Sequence, residues 1–334
     1  MIAPPLVEVR DLRKHFEMPA GLLATLAGRR ADVLRAVDGV SFELPAGESL
    51  GVAGESGCGK TTLGLTLIRL HEPTGGEIRF RGQSIGHLAG RALKDFRKQA
   101  QVIFQDPYAS LDPRLRIGAT VDEPLRIHGV PAAERAPRVT RALERVRLPA
   151  TSEFLHRHPH ELSGGQRQRL AIARAIVLEP SFIVADEPVS MLDVSIRAGI
   201  IELLTGLAAS LGLSLLYISH DLSTIRYICR RTAVMYLGRV AELGPTEELI
   251  REPLHPYSQA LIAAIPEIDV RQRRAPVRLA GEARAGRAEP GGCRFRDRCP
   301  RAMPRCAAAE PALRNVGGER AVACYLHHDE SENP

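Results

Sequence analysis

The chain has 334 residues, a length that fits one large domain with an appendage. Its hydrophobic content of 44% and its charged content of 25% are ordinary for a globular protein. The formal net charge of +6 comes almost entirely from arginine, and it excludes neither nucleic acid, nor an anionic membrane face, nor phosphate ligands as the binding partner.

The chain shows no clear targeting or spanning segment. Residues 1–12 do not have the basic, long apolar and small-residue segments of a secretory signal. The uncharged run 203–219 approaches the length of a membrane span, but small residues interrupt it, and Gly212 divides a helix end from a strand. We therefore expect a soluble or peripheral protein, in which cytosolic residence disfavours structural disulfides.

The first elements are predicted to be strands. Residues 6–12 alternate in the manner of an edge strand, and Phe16 lies just beyond them. An insertion at residues 17–35 makes the distance to the next motif unusually long. Residues 37–53 then predict two strands joined by a turn at 45–48.

Residues 54–61 (GESGCGKT) match the phosphate-binding pattern G-x-x-x-x-G-K-[ST] between a strand and an apolar-periodic helix. Glycines there let backbone N–H groups approach phosphates, and the helix N-terminus adds a favourable dipole. We expect Lys60 to pair with the β- and γ-phosphates of ATP and the Thr61 hydroxyl to ligate Mg²⁺. Cys58 occupies a variable position and is interpreted as small filler. The residues expected to contact the nucleotide are Gly54, Ser56, Gly57, Cys58, Gly59, Lys60, Thr61 and Thr62.

A second region of interest begins after a predicted hairpin at residues 76–85. Residues 102–105 predict a strand that ends at Gln105. A single glutamine at such a place is usually only a polar loop residue. Residues 106–160 are rich in Pro, Arg and helix formers, which indicates a helical region.

The segment 162–193 (LSGGQRQRLAIARAIVLEPSFIVADEPVSMLD) predicts a helix, a strand and a turn. Ser163 and Gln166 form a capping box that begins the helix, and Pro180 ends it. Residues 182–185 predict a parallel strand that is buried on both faces.

Asp186 and Glu187 lie at the carboxyl end of that strand, where open α/β sheets place their ligand chemistry. Of two neighbouring carboxylates at this place, one can hold Mg²⁺ and the other can orient a water molecule or take its proton. Residues 213–219 predict another buried strand with His220 at its end, although a lone histidine is more often a hydrogen-bonding residue than a catalyst. A hairpin at 232–243 follows.

The tail contains a linker at residues 271–292, rich in Arg, Ala, Gly and Pro, and then four cysteines spaced C-x5-C-x6-C-x17-C. Four thiolates suit zinc or a [4Fe–4S] cluster, and because zinc sites usually have closer cysteine pairs, this spacing favours iron–sulfur. Zn²⁺ and reduced unligated thiols stay open as alternatives, and Cys229 is interpreted as a core residue. The predicted cluster ligands are Cys293, Cys299, Cys306 and Cys324.

Together these motifs resemble those of ATP-binding-cassette (ABC) ATPases. LSGGQ resembles their signature, residues 182–187 their Walker B strand, and SMLD their D-loop. The resemblance implies an α/β fold: a RecA-like P-loop core, an inserted α-helical subdomain, an N-terminal antiparallel β subdomain and a small cysteine-containing C-terminal extension. The expected boundaries are 1–245 for the ATPase domain with the helical subdomain at about 106–178, and 246–334 for the extension with its cysteines at 293–324.

The same resemblance implies roles for single residues. Phe16 would stack on adenine, the Q-loop Gln105 would reach Mg²⁺ and the attacking water, and the H-loop His220 would contact the γ-phosphate and help fix the water at Glu187. The signature segment would contact ATP held by a second cassette. The residues implied there are Ser163, Gly164, Gly165, Gln166 and the D-loop Asp193.

Two further segments are more specific. Residues 106–113 (DPYASLDP) and 254–266 resemble dipeptide and oligopeptide importers, some of which carry a comparable cluster. The resemblance implies an ATPase that energises short-peptide uptake at the cytoplasmic face of the bacterial membrane. The implied partners are a second ABC ATPase subunit, two permeases and an extracytoplasmic peptide-binding protein, and no nucleic acid is expected. The 17–35 insertion weakly favours a heterodimer of cassettes.

Two alternatives remain open at this point. A nickel or glutathione importer ATPase shares nearly every motif. A non-transport ABC protein of DNA repair, translation or cluster assembly is less favoured, because the first two generally carry two cassettes and the third lacks the HPY tail.

Overall fold

The computed structural model describes residues 4–18, 32–264 and 291–328. Within these ranges the strands form two sheets. The strands are β1 (Val7–Met18), β2 (Asp32–Leu44), β3 (Ser49–Ala53), β4 (Gly75–Phe80), β5 (Gln83–Ser84), β6 (Ala100–Ile103), β7 (Phe182–Asp186), β8 (Ser214–Ile218), β9 (Arg231–Tyr236), β10 (Arg239–Pro245), β11 (Arg314–Gly317) and β12 (Arg320–Val322).

The smaller sheet is antiparallel and has the order β2-β1-β4-β5. The prediction that residues 6–12 form an edge strand is wrong, because β1 lies between β2 and β4. Alternation shows that one face of a strand is buried, but it does not show how many neighbours the strand has. β1 and β2 extend into both ends of the 17–35 insertion, whose residues 19–31 lie outside the described residues.

The larger sheet has the order β11-β12-β10-β9-β3-β8-β7-β6, and its strands from β9 to β6 pair in parallel. β7 and β8 are buried along their whole length, as their continuous apolar sequences predict. Parallel strands end at the same edge of a sheet. The loops that follow β3, β6, β7 and β8 therefore begin side by side, and the phosphate loop, Gln105, Glu187 and His220 come just after these strands.

Helices cover the larger sheet and fill the region between β6 and β7, where the helical subdomain is predicted. The helices are Lys60–Leu67, Gly90–Gln99, Pro107–Ser110, Ile117–Ile127, Ala132–Arg145, Ser152–His156, Gly164–Ile176, Val194–Leu211, Leu222–Ile228, Thr246–Arg251, Pro256–Ala263 and Arg305–Ala308. Short 3₁₀ turns are formed by Pro159–Glu161, Arg296–Arg298 and Tyr325–His327.

The uncharged run 203–219 lies in the fold as a helix end followed by a strand, which confirms the prediction. The helix Val194–Leu211 ends at Gly212, whose φ of 61° is left-handed, and β8 begins two residues later. By length and composition alone this helix could cross a membrane. Here its Ile200 and Leu204 are buried in the larger of the two hydrophobic clusters.

The C-terminal extension continues the core sheet, because β12 pairs antiparallel with β10. The helix Pro256–Ala263 and the cysteine-bearing turns pack beside that edge. The division of the chain at residue 245 stays a prediction. Most of the predicted linker 271–292, together with residues 265–266, lies outside the described residues.

Candidate functional site

The predicted phosphate loop connects β3 to the helix Lys60–Leu67 and needs glycine at two of its positions. Gly54 has a φ of 151° and Gly59 a φ of 107°, a region that side chains rarely adopt. A Cβ on Gly59 would lie 1.9 Å from the Ala36 carbonyl oxygen, and one on Gly54 would lie 2.3 Å from that of Met235. Neighbouring backbone therefore fixes the path of the loop.

Lys60 is held inside this loop. Its Nζ donates to the carbonyl oxygens of Gly54 at 2.8 Å and Glu55 at 2.9 Å, and the residue is buried. Backbone dipoles thus compensate a buried ammonium group until phosphate is present. Cys58 is also buried, and burial raises the pKa of its thiol, which agrees with its interpretation as small filler.

A cavity of about 600 Å³ opens beside the loop. It brings together Phe16, Gln105, Glu187 and His220 with the loop, although these residues are far apart in the sequence. Five lining residues were not predicted, and of these only Gly238 carries a sequence signal, as a glycine in a tight hairpin turn. The lining residues are Phe16, Leu34, Arg35, Ala36, Ser56, Gly57, Cys58, Gly59, Lys60, Thr61, Thr62, Gln105, Glu187, His220, Leu237 and Gly238.

The two carboxylate oxygens of Glu187 are each held by one predicted residue. Gln105 Nε2 donates to Oε2 at 2.9 Å, and His220 Nδ1 lies 3.0 Å from Oε1. Glu187 itself has a φ of 45°, and its backbone N–H donates to the Ile218 oxygen at 2.9 Å. A non-glycine residue in this region is strained and persists only where its surroundings hold it, which is common at functional sites.

Asp186 lies just below the cavity and is 4% exposed. Burial raises the pKa of its carboxyl group, while a hydrogen bond from Thr61 lowers it. Its Oδ1 is buried without a hydrogen-bond partner among the described residues. An oxygen of this kind beside the Thr61 hydroxyl fits Mg²⁺, which prefers a few carboxylate and hydroxyl ligands with water.

The signature segment lies apart from this cavity. The predicted capping box is confirmed, because Ser163 Oγ accepts from Gln166 N–H at 3.3 Å and Gln166 Oε1 accepts from Ser163 N–H at 3.0 Å. Gly165 packs against Ile196, where an added Cβ would approach a side-chain carbon to 2.8 Å. Asp193 occupies the N-cap position of the helix that follows, without a capping hydrogen bond from its side chain. Ser163, Gly164, Gly165, Gln166 and Asp193 do not line the cavity of their own chain.

The four cysteines of the extension line one second cavity, with His255 and Phe295 beside them. Burial raises the pKa of the Cys293 thiol to about 12. The cavity is small, at about 10 Å³, which is close to the space of one water molecule. Among the described residues no group of three or more His, Cys, Asp or Glu side chains is arranged to hold a metal ion. Thiols are the donors that a thiophilic metal prefers, but the four thiols as placed in this structure form no ligand set for Zn²⁺ or for a [4Fe–4S] cluster.

Comparison with known proteins gives two family matches. Residues 37–190 match the family described as ABC transporter, and residues 241–306 match the oligopeptide/dipeptide transporter C-terminal region. A putative peptide import ATP-binding protein of Brucella ovis is 46% identical over 97% of this chain and 98% of its own length. The oligopeptide transport ATP-binding protein AppF of Bacillus subtilis is 46% identical over 96% of this chain and 97% of its own.

Solved structures agree with the fold. The cbiO1 protein of Clostridium perfringens, part of the ABC transporter complex cbiONQ, has a TM-score of 0.63 at 26% identity, covering 75% of this chain and 92% of its own. The ATP-binding cassette MJ0796 in a dimer bound to ADP and Pi has a TM-score of 0.62 at 27% identity, covering 72% of this chain and 98% of its own. This chain therefore belongs to the ATP-binding proteins of the ABC transporter family and has the ABC ATPase fold.

Proposed function

We propose that this chain hydrolyses ATP to energise the uptake of short peptides across the cytoplasmic membrane. The single observation that carries the hydrolytic part is the placement of Glu187, with one carboxylate oxygen on Gln105 and the other on His220. Two findings support short peptides as the transported substrate. Relatives of this chain are named as peptide import and oligopeptide transport ATP-binding proteins, and residues 241–306 match the oligopeptide/dipeptide transporter C-terminal region.

ATP would bind with its phosphates on the loop 54–61 and its base toward Phe16. Lys60 would exchange its two backbone acceptors for phosphate oxygens, which are charged and bind an ammonium group more strongly. Thr61 and Asp186 would hold Mg²⁺, which supplies positive charge to the phosphate oxygens when it is bound. The buried Oδ1 of Asp186, which has no hydrogen-bond partner in the described part of the chain, supports this assignment.

Glu187 would accept the proton of the attacking water or orient it. A carboxylate whose two oxygens are already held can present a lone pair in only a few directions, which favours one water position. Gln105 and His220 line the cavity and are exposed there, so the amide oxygen of Gln105 and the second ring nitrogen of His220 stay available to ATP, Mg²⁺ or water while both residues hold Glu187.

The signature residues would complete a site on a second cassette. Ser163, Gln166 and Asp193 are exposed and lie away from the cavity of their own chain, so they are available to nucleotide held by a partner. We propose that this partner is a second ABC ATPase subunit, and the insertion at 17–35 favours a different chain over an identical one.

A groove between the helical region and the sheet is the proposed docking place of a permease. The groove has a volume of about 370 Å³, and Phe104, next to Gln105, lines it. Leu70 and Ile127, which line the groove, are 46% and 53% exposed. Exposed apolar residues surrounded by polar ones are typical of protein interaction sites. Two permeases and an extracytoplasmic peptide-binding protein would then place this chain at the cytoplasmic face of the membrane.

Peptide uptake is tested in cells. Deletion of the gene is expected to abolish growth on short peptides that supply a required amino acid, while the free amino acid restores growth. The gene with Lys60→Ala is expected not to restore growth on peptide. Normal uptake of labelled peptides by the deletion strain, together with failure to accumulate nickel or glutathione, would favour the alternative cargo.

We also propose that Cys293, Cys299, Cys306 and Cys324 hold a [4Fe–4S] cluster, with Zn²⁺ as the alternative. The convergence of all four thiols on one cavity supports a shared ligand, although the thiols would have to move apart to admit a cluster. Anaerobically purified protein is expected to contain iron and acid-labile sulfide, and Cys299→Ser to lose both. Stoichiometric zinc without iron would identify the alternative.

A further inference from the structure

The C-terminal extension touches the phosphate loop through a buried tyrosine. Tyr257, in the helix Pro256–Ala263, is fully buried, and its hydroxyl oxygen accepts the backbone N–H of Glu55 at 2.8 Å. Glu55 is the second residue of the loop 54–61. The N–H of this partly buried residue is thus satisfied by a side chain 202 residues away in the sequence.

An arginine from the cysteine-bearing segment holds the side chain of the same residue. Arg298 Nη1 and Nη2 donate to Glu55 Oε2 at 2.9 Å and Oε1 at 3.1 Å. The two side chains are 12% and 32% exposed, so water screens this fork only in part. The Glu55 carboxylate raises the pKa of Arg298 further above its usual range. Two parallel charged hydrogen bonds fix both the position and the orientation of the carboxylate.

Glu55 is therefore held at three points: its N–H by Tyr257, its carboxylate by Arg298, and its carbonyl oxygen by Lys60 at 2.9 Å. Two of these contacts come from the extension and one from the lysine expected to bind phosphate. A shift of the extension would move the Glu55 peptide unit and with it the resting position of Lys60.

A second arginine of the same segment reaches the other wall of the cavity. Arg294 Nη1 donates to the Leu237 oxygen and Nη2 to Asp38, and both Arg294 and Asp38 are buried. Leu237 lines the nucleotide cavity. Asp38 Oδ1 in turn lies 2.9 Å from His15 Nε2, one residue before Phe16. The segment 293–299 thus supports both the phosphate side and the Phe16 side of the cavity.

We propose that Arg298 and Tyr257 are positioning residues for ATP, which set the charge and shape of the phosphate loop through Glu55. The carboxylate of Glu55 lies on a loop that must receive a strongly anionic ligand, and Arg298 neutralises it. Without Arg298 this carboxylate would repel the phosphates and be free to compete with them for Lys60. The proposal rests on ATP binding at this cavity as given in the proposed function.

The test measures ATP binding to the full-length protein with Mg²⁺, by equilibrium titration with a fluorescent ATP analogue. Arg298→Gln is expected to raise the Kd about tenfold, the range of a lost charged hydrogen-bond pair. Glu55→Gln removes the repelling charge together with the ion pair to Arg298, so its Kd for ATP is expected to rise less than that of Arg298→Gln. The double variant is expected to match Glu55→Gln, because Arg298 acts through the carboxylate.

Arg230→Gln is the matched control. Arg230 also joins the core to the extension by a fork, with bonds of 2.9 and 3.3 Å to Glu319. It lies just before β9, at the end of that strand opposite to the cavity-lining Leu237. Its Kd is expected to equal that of the unaltered protein. Equal weakening by Arg230→Gln and Arg298→Gln would overturn the proposal, because the extension would then act only as general support. An unchanged Kd in Arg298→Gln would overturn it as well.

Arg298→Lys covers the case in which the glutamine variant does not fold. It keeps the charge without the fork, so its Kd is expected to rise by less than about tenfold, whereas a rise of about tenfold or more would contradict the charge argument. Failure of the unaltered protein to bind ATP would count against the proposed function. Binding by that protein with no response to Arg298→Gln would count against this inference alone.

Discussion

The nucleotide cavity and the C-terminal extension differ in how their polar groups are brought together. Gln105, Glu187 and His220 each follow a strand of the same parallel sheet, so the sheet itself places them side by side. Arg294 and Arg298 lie on a short turn and reach acidic partners 256 and 243 residues away in the sequence. Regular geometry assembles the first set, whereas only the packing of the tail on the core assembles the second.

We therefore expect the two sets of residues to have different roles, which variants can test. Groups at the strand ends should act on chemistry, and groups of the extension should act on how tightly the loop receives ATP. Variants of the first set should therefore change the rate, and variants of the second set should change affinity or stability with little change in the rate at saturating ATP.

The largest effect is expected for Glu187→Gln. Loss of the group that orients the water or takes its proton should lower the ATPase rate of the assembled transporter by about 10²–10⁴-fold. ATP affinity should be kept, because Lys60 and the loop are intact. Steady-state ATPase assays beside an ATP titration check both parts. Glu202→Gln, on the exposed surface, should keep the full rate, and near-normal turnover by Glu187→Gln would remove Glu187 from the proposed mechanism.

Lys60→Ala should act on binding first. It removes the cation expected on the β- and γ-phosphates, and the Kd for ATP should rise about a hundredfold. The measurement is the same titration, with the exposed Lys94→Ala as the control. Retained affinity with a lower rate would mean that Lys60 acts only in the transition state.

The same difference decides which features could be predicted from the sequence. The loop 54–61, the capping box at Ser163 and the strand-end carboxylates were predictable because each is a contiguous pattern with a local physical cause. The pairing of Arg298 with Glu55 was not predictable, because nothing in the sequence around one of many arginines identifies its ion-pair partner. The interior position of β1 was missed for a related reason, since alternation is the same whether a strand has one neighbour or two.

A pH effect on stability is expected from His255, which caps the helix that carries Tyr257 through a 3.0 Å bond from Tyr257 N–H to Nδ1. Burial lowers the pKa of His255 to about 4, from the usual 6.5 of histidine. The folded state therefore binds this proton less readily than the unfolded state, so the contribution is present above pH 6.5 and is lost as the pH falls toward 4. The free energy of unfolding should drop by about 2 kcal/mol between pH 7 and pH 5 from this group alone.

Urea unfolding at the two pH values measures this drop. His255→Asn offers a side chain that also caps helices but does not titrate, so the difference between the two pH values should shrink by about the same 2 kcal/mol. An equal pH dependence in both proteins would show that His255 does not set it.

The smallest effect on ATP affinity among these predictions is expected for Tyr257→Phe, which keeps the buried ring and removes only its hydroxyl oxygen. The Glu55 N–H would then lack its acceptor in the interior, at a cost of about 1–3 kcal/mol in the free energy of unfolding. Because that N–H helps to set the loop, the Kd for ATP should rise about threefold, less than for Arg298→Gln, since a neutral bond is lost in place of a charged fork. Thermal unfolding and the ATP titration separate the two effects. A stability loss with unchanged affinity would restrict Tyr257 to holding the extension on the core, and Arg298 alone would then link the extension to the nucleotide.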